Sequence, residues 1–281
     1  MCIRDRLPAE EKLIKSLTEL EGMTSITLSA NRERTNVIMG KEIRCLWGQG
    51  YITDYIGNVK YRISPLSFYQ VNPVQTKNLY EKAISLAGLT GNERVMDAYC
   101  GIGTIGLIAS RDAREVISVE LNPDAVRDAV TNAKRNQIKN VSFYQNDAGA
   151  FMVSMAEKGE KADIVFMDPP RAGSDEAFLS SVVTLSPKKV VYVSCNPETL
   201  ARDLRYLTKH GYKAEEAWGY DMFAWSEHVE SIVLLSKLKS NKLKHINVEL
   251  EMDELDLMAA ESKAIYAEVK DYVSEAKRIE S

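Results

Sequence analysis

The sequence predicts an α/β protein built on a doubly wound, mostly parallel sheet of seven strands. Two observations carry this prediction. From Asn72 onward, segments with strand composition alternate with segments of helical periodicity, as in successive βα units. Strand segments such as Val190-Val191-Tyr192-Val193 are also continuously apolar, which is expected when helices cover both faces of a sheet.

The segment before Asn72 is predicted to form a small β-rich element. A helical stretch over residues 9–20 comes first, and residues 24–28 and 51–56 have strand composition. The sequence Ile56-Gly57-Asn58-Val59 is typical of a hairpin turn, and it leads into a further strand over residues 60–63. We therefore expect residues 1–66 to be part of a β-rich domain.

The main sheet domain is predicted over residues 67–238. Asn72 is a capping residue followed by Pro73 at the first helical position, so a helix is expected as far as residue 87, closed by Gly88 and Gly91. The seven strands are expected at residues 94–98, 115–121, 141–145, 163–167, 189–194, 213–220 and 229–235. Helices are expected between them at residues 104–110, 123–136, 148–158, 175–184 and 197–210. Residues 239–281 read as a charged linker and a C-terminal helix over 253–277.

The composition is that of a soluble cytoplasmic enzyme, which we expect to be monomeric. Hydrophobic residues make up 45% and charged residues 27% of the chain. No apolar run reaches the roughly 18 residues that span a bilayer, and the N-terminus lacks the apolar region of a secretory signal peptide. The four cysteines form no CxxC pair, so they predict free thiols and no metal site. A net charge of −4 argues against a generally basic nucleic-acid binder.

A glycine-rich turn follows the first strand of the predicted sheet. Gly101, Gly103 and Gly106 form a G-x-G-x-x-G pattern, and Glu120 ends the next strand, where a carboxylate can bind ribose hydroxyls. Both NAD and S-adenosylmethionine fit these residues. Asp97, just before the loop, favours the second ligand, because a carboxylate there would repel a pyrophosphate and attract a cationic group.

Two further strand ends carry residues that suit catalysis. The fourth strand ends in Asp168-Pro-Pro-Arg171, in which two prolines hold the chain extended beside an acid. The fifth ends at Cys195, and a helix capped by Asn196 follows. Ligands of open α/β sheets bind at these carboxyl ends, and a helix N-terminus is expected to lower the pKa of Cys195. A buried structural cysteine is an equally good interpretation of this position alone.

For two other candidate residues, the neighbouring sequence gives less support for a functional role. Cys100 lies in the glycine-rich loop, where a packing role is favoured. Glu230 stands at the start of the last strand and is expected to share a face with His228. A partly desolvated Glu230 would suit a general base, although a surface ion pair explains its position as well.

Together, these segments resemble the RNA uracil-5 methyltransferase family, whose members act on 23S rRNA and on the tRNA T-loop. The likeness covers about residues 60–238 and is strongest to bacterial 23S rRNA members. It rests on Ser67-Phe-Tyr-Gln70-Val-Asn72, Asp97-Ala-Tyr-Cys-Gly-Ile-Gly103, Val119-Glu-Leu-Asn122, Asp168-Pro-Pro-Arg-Ala-Gly173, Val193-Ser-Cys-Asn-Pro197, Thr199-Leu-Ala-Arg-Asp203 and His228-Val-Glu230.

The resemblance implies a Rossmann-like class I methyltransferase fold and a role for each matching residue. Cys195 would be the covalent nucleophile and Glu230 the base. The expected S-adenosylmethionine site comprises Gln70, Tyr99, Gly101, Gly103, Glu120, Asp147 and Asp168. RNA is the implied partner, 23S rRNA before tRNA. An amino-group methyltransferase of nucleic acid, an NAD-linked oxidoreductase and a chain that binds cofactor without turnover are the alternatives.

The sequence departs from the family pattern in three places. No RNA-binding β-barrel precedes residue 7, and the cysteine cluster that holds an iron–sulfur centre in many members is missing, so no such centre is expected. Both departures lead us to expect an N-terminally truncated chain. Ala224-Trp225-Ser226 stands where a Pro-His-Thr-like stretch is expected, which places the local substrate contacts in question.

Overall fold

A computed structural model describes residues 7–31, 39–40 and 42–238. Seven strands form one sheet in the order β10-β11-β9-β8-β5-β6-β7. They are β5 (Arg94–Ala98), β6 (Glu115–Glu120), β7 (Val141–Gln145), β8 (Ile164–Met167), β9 (Lys189–Ser194), β10 (Tyr212–Tyr220) and β11 (Glu230–Lys237). Strands β5 to β9 are parallel, and β11 lies antiparallel between β9 and β10. The predicted seven-stranded, mostly parallel sheet is therefore confirmed.

Six helices surround this sheet within the described residues. They are α2 (Pro73–Ala87), α3 (Thr104–Ala109), α4 (Pro123–Arg135), α5 (Ala148–Glu157), α6 (Glu176–Leu185) and α7 (Pro197–Lys209). The predicted boundaries agree to within one or two residues. Side-chain caps explain this agreement, because Asn72 accepts from Gln75 N and Asn196 accepts from Glu198 N.

The described residues before Asn72 form two separate two-stranded sheets. Helix α1 (Glu10–Thr18) precedes β1 (Ser25–Ala30), which pairs with β2 (Glu42–Gly48). The expected hairpin consists of β3 (Ile52–Ile56) and β4 (Val59–Ile63). Strand β4 attaches to α4 because Asn132 accepts from Arg62 N and Asn136 accepts from Lys60 N. The apolar side chains of β4 thus join the core of the main sheet.

Two apolar cores lie on opposite faces of the sheet. One packs α2, α3 and β4 against the strands, and the other packs α5, α6 and α7. Val191 faces the first core and Val190 the second, as side-chain alternation along a strand requires. No helix in the described ranges is long and apolar enough to cross a membrane. The predicted helix over 253–277 falls outside the described residues.

Candidate active site

A cavity of about 630 Å³ opens where the carboxyl ends of β5, β6, β8 and β9 meet. Parallel strands all end at this edge, so the side chains that follow them converge there. The amino end of antiparallel β11 reaches the same edge, because Ser231 pairs with Ser194. Eight of the predicted site residues line the cavity: Gln70, Tyr99, Gly101, Glu120, Asp147, Asp168, Cys195 and Glu230.

The three glycines after β5 have different functions. Gly101 borders the cavity with a φ of +54°, and a Cβ built there meets nothing within 4 Å, so this backbone is open to a ligand. Gly103 has a φ of +85° and faces Leu107 and Phe143, so the structure places it behind the cavity wall. A Cβ at Gly106 would lie 2.6 Å from the Ser118 hydroxyl oxygen, which makes this glycine a packing requirement.

Glu120 occupies the position expected of a ribose-binding acid. One carboxylate oxygen accepts a 3.0 Å hydrogen bond from Gly101 N, and the other accepts a 2.8 Å bond from Asn122 N. These bonds hold the carboxylate beside the glycine loop at the cavity wall. Each oxygen retains a lone pair for a ribose hydroxyl.

Asp97 does not lie beside the ligand cavity, where the sequence predicted it. Its side chain is buried beneath α3, where it accepts a 2.8 Å hydrogen bond from Gly106 N, and it does not line the cavity. Burial raises the pKa of Asp97 to about 7. The expected direct attraction between Asp97 and a cationic ligand is therefore wrong, and this carboxyl instead anchors the start of α3.

Three other wall residues come from different segments of the chain. Gln70 is buried, and its side-chain oxygen has no hydrogen-bond partner among the described residues. Tyr99 adopts a φ of +72°, and its ring packs 4.9 Å from the ring of Phe178. Asp147 caps α5 by accepting a 2.9 Å bond from Ala150 N. Gln70 thus offers an unused acceptor inside the cavity, and a buried acceptor without a partner needs a ligand or water.

A buried carboxylate connects the Asp168 loop to the Cys195 loop. Asp203 of α7 accepts hydrogen bonds from Ser174 N at 2.8 Å and from the Tyr192 hydroxyl at 2.6 Å. Asn196 also donates to the Arg171 carbonyl at 3.2 Å. The two loops that carry the acid and the thiol are therefore held in one arrangement.

Cys195 is half-buried between this loop and the cavity. Burial raises the pKa of the thiol, and the carboxylates of Glu230 and Asp168 raise it further, against a lowering by Arg171. The expected net lowering of this pKa is therefore wrong, because burial and two acids raise it. A thiolate formed here is a stronger nucleophile than one of low pKa.

Glu230 and Asp168 form an acidic pair beside this thiol. Burial alone raises the pKa of Glu230 to about 7. Burial, then the charges of Glu230 and Asp97, raises the pKa of Asp168 to about 8. His228 precedes the strand and is exposed, whereas Glu230 is buried, so the expected shared face is not formed. Near pH 7 this pair is therefore able to take up or release a proton.

Sequence reasoning missed two wall residues on α2, Thr76 and Tyr80. Both are buried, and their spacing of four residues puts them on one helical face. That periodicity is visible in the sequence, but it does not distinguish a core face from a cavity wall. Cys100 is buried, contacts the Gly101 carbonyl through sulfur and also borders the cavity, so its packing role stays a prediction.

The fold and this pocket define a Rossmann-like class I methyltransferase. A family model described as tRNA (uracil-5-)-methyltransferase matches residues 40–238. RNA methyltransferases of uncharacterised function from Clostridium tetani and Halalkalibacterium halodurans are 48% and 47% identical over 232 residues. These alignments cover 82% of this chain and 50% and 51% of the relatives, so the chain spans about half their length.

A solved structure shows the same likeness. The Pyrococcus abyssi tRNA (uracil-54, C5)-methyltransferase, in complex with S-adenosyl-L-homocysteine, has 33% sequence identity and a TM-score of 0.66. The match covers 78% of this chain and 52% of that one. This chain belongs to the tRNA (uracil-5-)-methyltransferase family.

Proposed function

We propose that this protein transfers a methyl group from S-adenosylmethionine to carbon 5 of a uridine in RNA. One observation carries the proposal: Cys195, Asp168 and Glu230 share a cavity with the ribose-type acid Glu120. A thiol, a proton acceptor and a nucleoside site in one cavity are the groups that carbon-5 methylation of a pyrimidine needs. The family membership supports the same reaction.

The cavity wall fits S-adenosylmethionine at both ends. Glu120 would bind the ribose hydroxyls, Gly101 leaves room along the backbone, and Asp147 lies on the same side for the adenine. Gln70 and Asp168 would face the amino-acid end, where Gln70 has its unused oxygen. Tyr99 would pack beside the ligand, whereas Gly103 would act only through loop geometry. The bound ligand supplies an electrophilic methyl group.

Cys195 would begin the reaction at the uracil ring. Carbon 5 of uracil is a poor nucleophile until the 5,6 double bond is polarised. Addition of the thiolate forms a sulfur–carbon 6 bond and moves the π electrons toward the carbon 4 carbonyl as an enolate. Carbon 5 then carries the negative charge density needed to attack the electrophilic methyl group, whose bond to the sulfonium sulfur would break and leave S-adenosylhomocysteine.

Glu230 would complete the reaction as the base. After methylation, carbon 5 holds one proton that must leave. The Glu230 carboxylate takes this proton, the electron pair restores the 5,6 double bond, and the sulfur–carbon 6 bond breaks to release Cys195. A pKa of about 7 suits this task because the carboxylate is substantially ionised at neutral pH and the acid is able to lose its proton again.

The substrate would be an unpaired uridine, because a stacked base cannot reach an enclosed pocket. We favour 23S rRNA on the sequence resemblance to bacterial members that act on it. The tRNA T-loop is the second candidate, favoured by the description of the matching family and by the similarity to the Pyrococcus abyssi tRNA (uracil-54, C5)-methyltransferase.

RNA containing 5-fluorouridine tests the mechanism directly. A fluorine at carbon 5 cannot leave as a cation, so the enzyme–RNA adduct should persist and migrate as a heavier band in denaturing gels. The adduct should require S-adenosylmethionine and disappear in Cys195→Ala but not in Cys100→Ala. A Cys195→Ala variant that still methylates uridine would refute the covalent mechanism, and methylation of an amino group would refute the reaction class.

Mapping of 5-methyluridine identifies the substrate. Unmodified 23S rRNA and tRNA transcripts are incubated separately with the protein, and the modified positions are read by mass spectrometry of nuclease fragments. Methylation confined to the tRNA transcript would overturn the preference for 23S rRNA.

A further inference from the structure

A tight turn over residues 223–226 presents Trp225 to solvent. Ser226 N donates a 3.1 Å hydrogen bond to the Phe223 carbonyl, which closes the turn, and the Ser226 hydroxyl bonds the same carbonyl at 2.7 Å. Met222 is buried and Phe223 packs against the core, so the start of the turn is anchored to the core. The indole at the tip is fully exposed.

Tryptophan is an unfavourable residue for this position. Trp225 is the third residue of the turn and has a φ of +69°, while Ala224 is not among the positive-φ residues. This pattern is a type II turn, whose third position favours glycine because any other side chain is strained there. Full exposure of a large aromatic ring adds no compensating burial. Such a strained and exposed residue points to a binding role.

The turn belongs to the connection that leads into the wall of the cavity. It connects β10 to β11, and β11 begins at Glu230 on the cavity wall. Asn72 donates a 3.3 Å bond to the Met222 carbonyl, which joins this connection to the segment that carries Gln70. Phe68 of that segment is largely exposed and borders the cavity. This turn is therefore tied to two segments that line the cavity, and one of them exposes an aromatic ring at the cavity border.

We propose that Trp225 stacks on an unpaired nucleobase adjacent to the target uridine and holds the RNA while the uridine enters the cavity. This inference rests on the proposed function, because it takes RNA as the substrate. An indole offers a flat apolar face that suits any base, and stacking of one base on an aromatic side chain strengthens binding roughly tenfold. The attachment of this turn to two wall segments of the cavity favours a nucleobase over a protein partner.

Fluorescence of 2-aminopurine tests this contact in the full chain. The probe is a single-stranded RNA with one 5-fluorouridine and a 2-aminopurine beside it, with a second RNA carrying the 2-aminopurine on the other side. Stacking on indole quenches 2-aminopurine, so wild-type protein should quench one of the two probes. Trp225→Gly should abolish the quenching and weaken RNA binding roughly tenfold, while Trp225→Phe should retain most of the affinity.

Two controls separate this contact from a structural role. Trp218→Ala removes an indole that instead lies over the Lys82 ammonium group at 3.5 Å, and it should leave quenching intact. Trp225→Gly should unfold at the same temperature as wild type or higher, because glycine suits the turn. A destabilised Trp225→Gly variant would indicate a structural role and overturn the inference.

The outcomes distinguish this inference from the proposed function. Covalent adduct formation with equal quenching by wild type and Trp225→Gly overturns the stacking inference and leaves the reaction standing. Quenching that depends on Trp225 without any adduct, in the presence of S-adenosylmethionine, supports stacking and refutes the covalent mechanism. Wild-type protein that binds neither probe overturns the inference, as does a Trp225→Gly variant whose only change is loss of self-association in sedimentation.

Discussion

Replacement of Glu230 with glutamine should raise the free energy of unfolding above neutral pH. The change should be smaller at acidic pH. The carboxyl is buried, and its pKa rises from an ordinary value of 4.5 to about 7. Its contribution to stability is therefore full below pH 4.5 and is lost as the pH rises through 7. At about 1.36 kcal/mol per pKa unit, the loss amounts to about 3 kcal/mol. Glutamine does not ionise, so the variant does not undergo this loss of stability.

Urea unfolding at pH 4.5 and pH 8.5 measures this effect. The glutamine amide adds an offset that is the same at both pH values, so the quantity to compare is the change between them. The advantage of Glu230→Gln over wild type should grow by about 3 kcal/mol toward pH 8.5. Glu227→Gln, on the exposed surface nearby, is the matched control and should show no such growth. An equal advantage at both pH values would refute the burial argument.

The remaining predictions concern the thiol, the cofactor and the packing of the glycine loop. Glu230→Gln should speed iodoacetamide labelling of Cys195 at pH 8 several-fold in mass spectrometry, because the carboxylate raises the pKa of the thiol; an unchanged rate would contradict this coupling. Glu120→Ala should weaken binding of S-adenosylhomocysteine at least tenfold in calorimetry, because a hydrogen bond to a charged group contributes about 1.5–3 kcal/mol; unaltered affinity would exclude Glu120 from the ligand site. Gly106→Ala should lower the free energy of unfolding by about 1–3 kcal/mol, since its Cβ would lie 2.6 Å from the Ser118 hydroxyl oxygen. Adding Ser118→Ala should recover part of that loss, and no recovery would place the clash elsewhere.

Features that depend on neighbours in the sequence were predictable. The caps at Asn72 and Asn196 accept hydrogen bonds from backbone groups within three residues, so these residue types predict where the helices begin. The hairpin between Ile56 and Val59 is equally local. The convergence of strand ends followed from the parallel sheet, and it brought Glu120, Asp168 and Cys195 to one cavity without further information.

Features that depend on distant packing were not predictable from a single sequence. The strand pattern does not indicate that β11 inserts between β9 and β10. The direction of the pKa change at Cys195 depends on burial and on acids brought from two other strands, whereas the helix that follows it is visible locally. Asp97 was misplaced for the same reason, because its pattern did not show that the side chain turns under α3.

Because β11 pairs on both sides, the position of Glu230 does not depend on the connection that precedes the strand. Hydrogen-bond ladders to β9 and β10 set the register of this strand, and so they set the position of Glu230. The residues from Asp221 to His228 precede the strand and are free of that register. Replacements in this connection can change its outer surface while the Glu230 side chain stays in place. Under the proposed function, a change of RNA target would therefore need replacements only in this short connection, and the strands that hold Glu230 would stay the same.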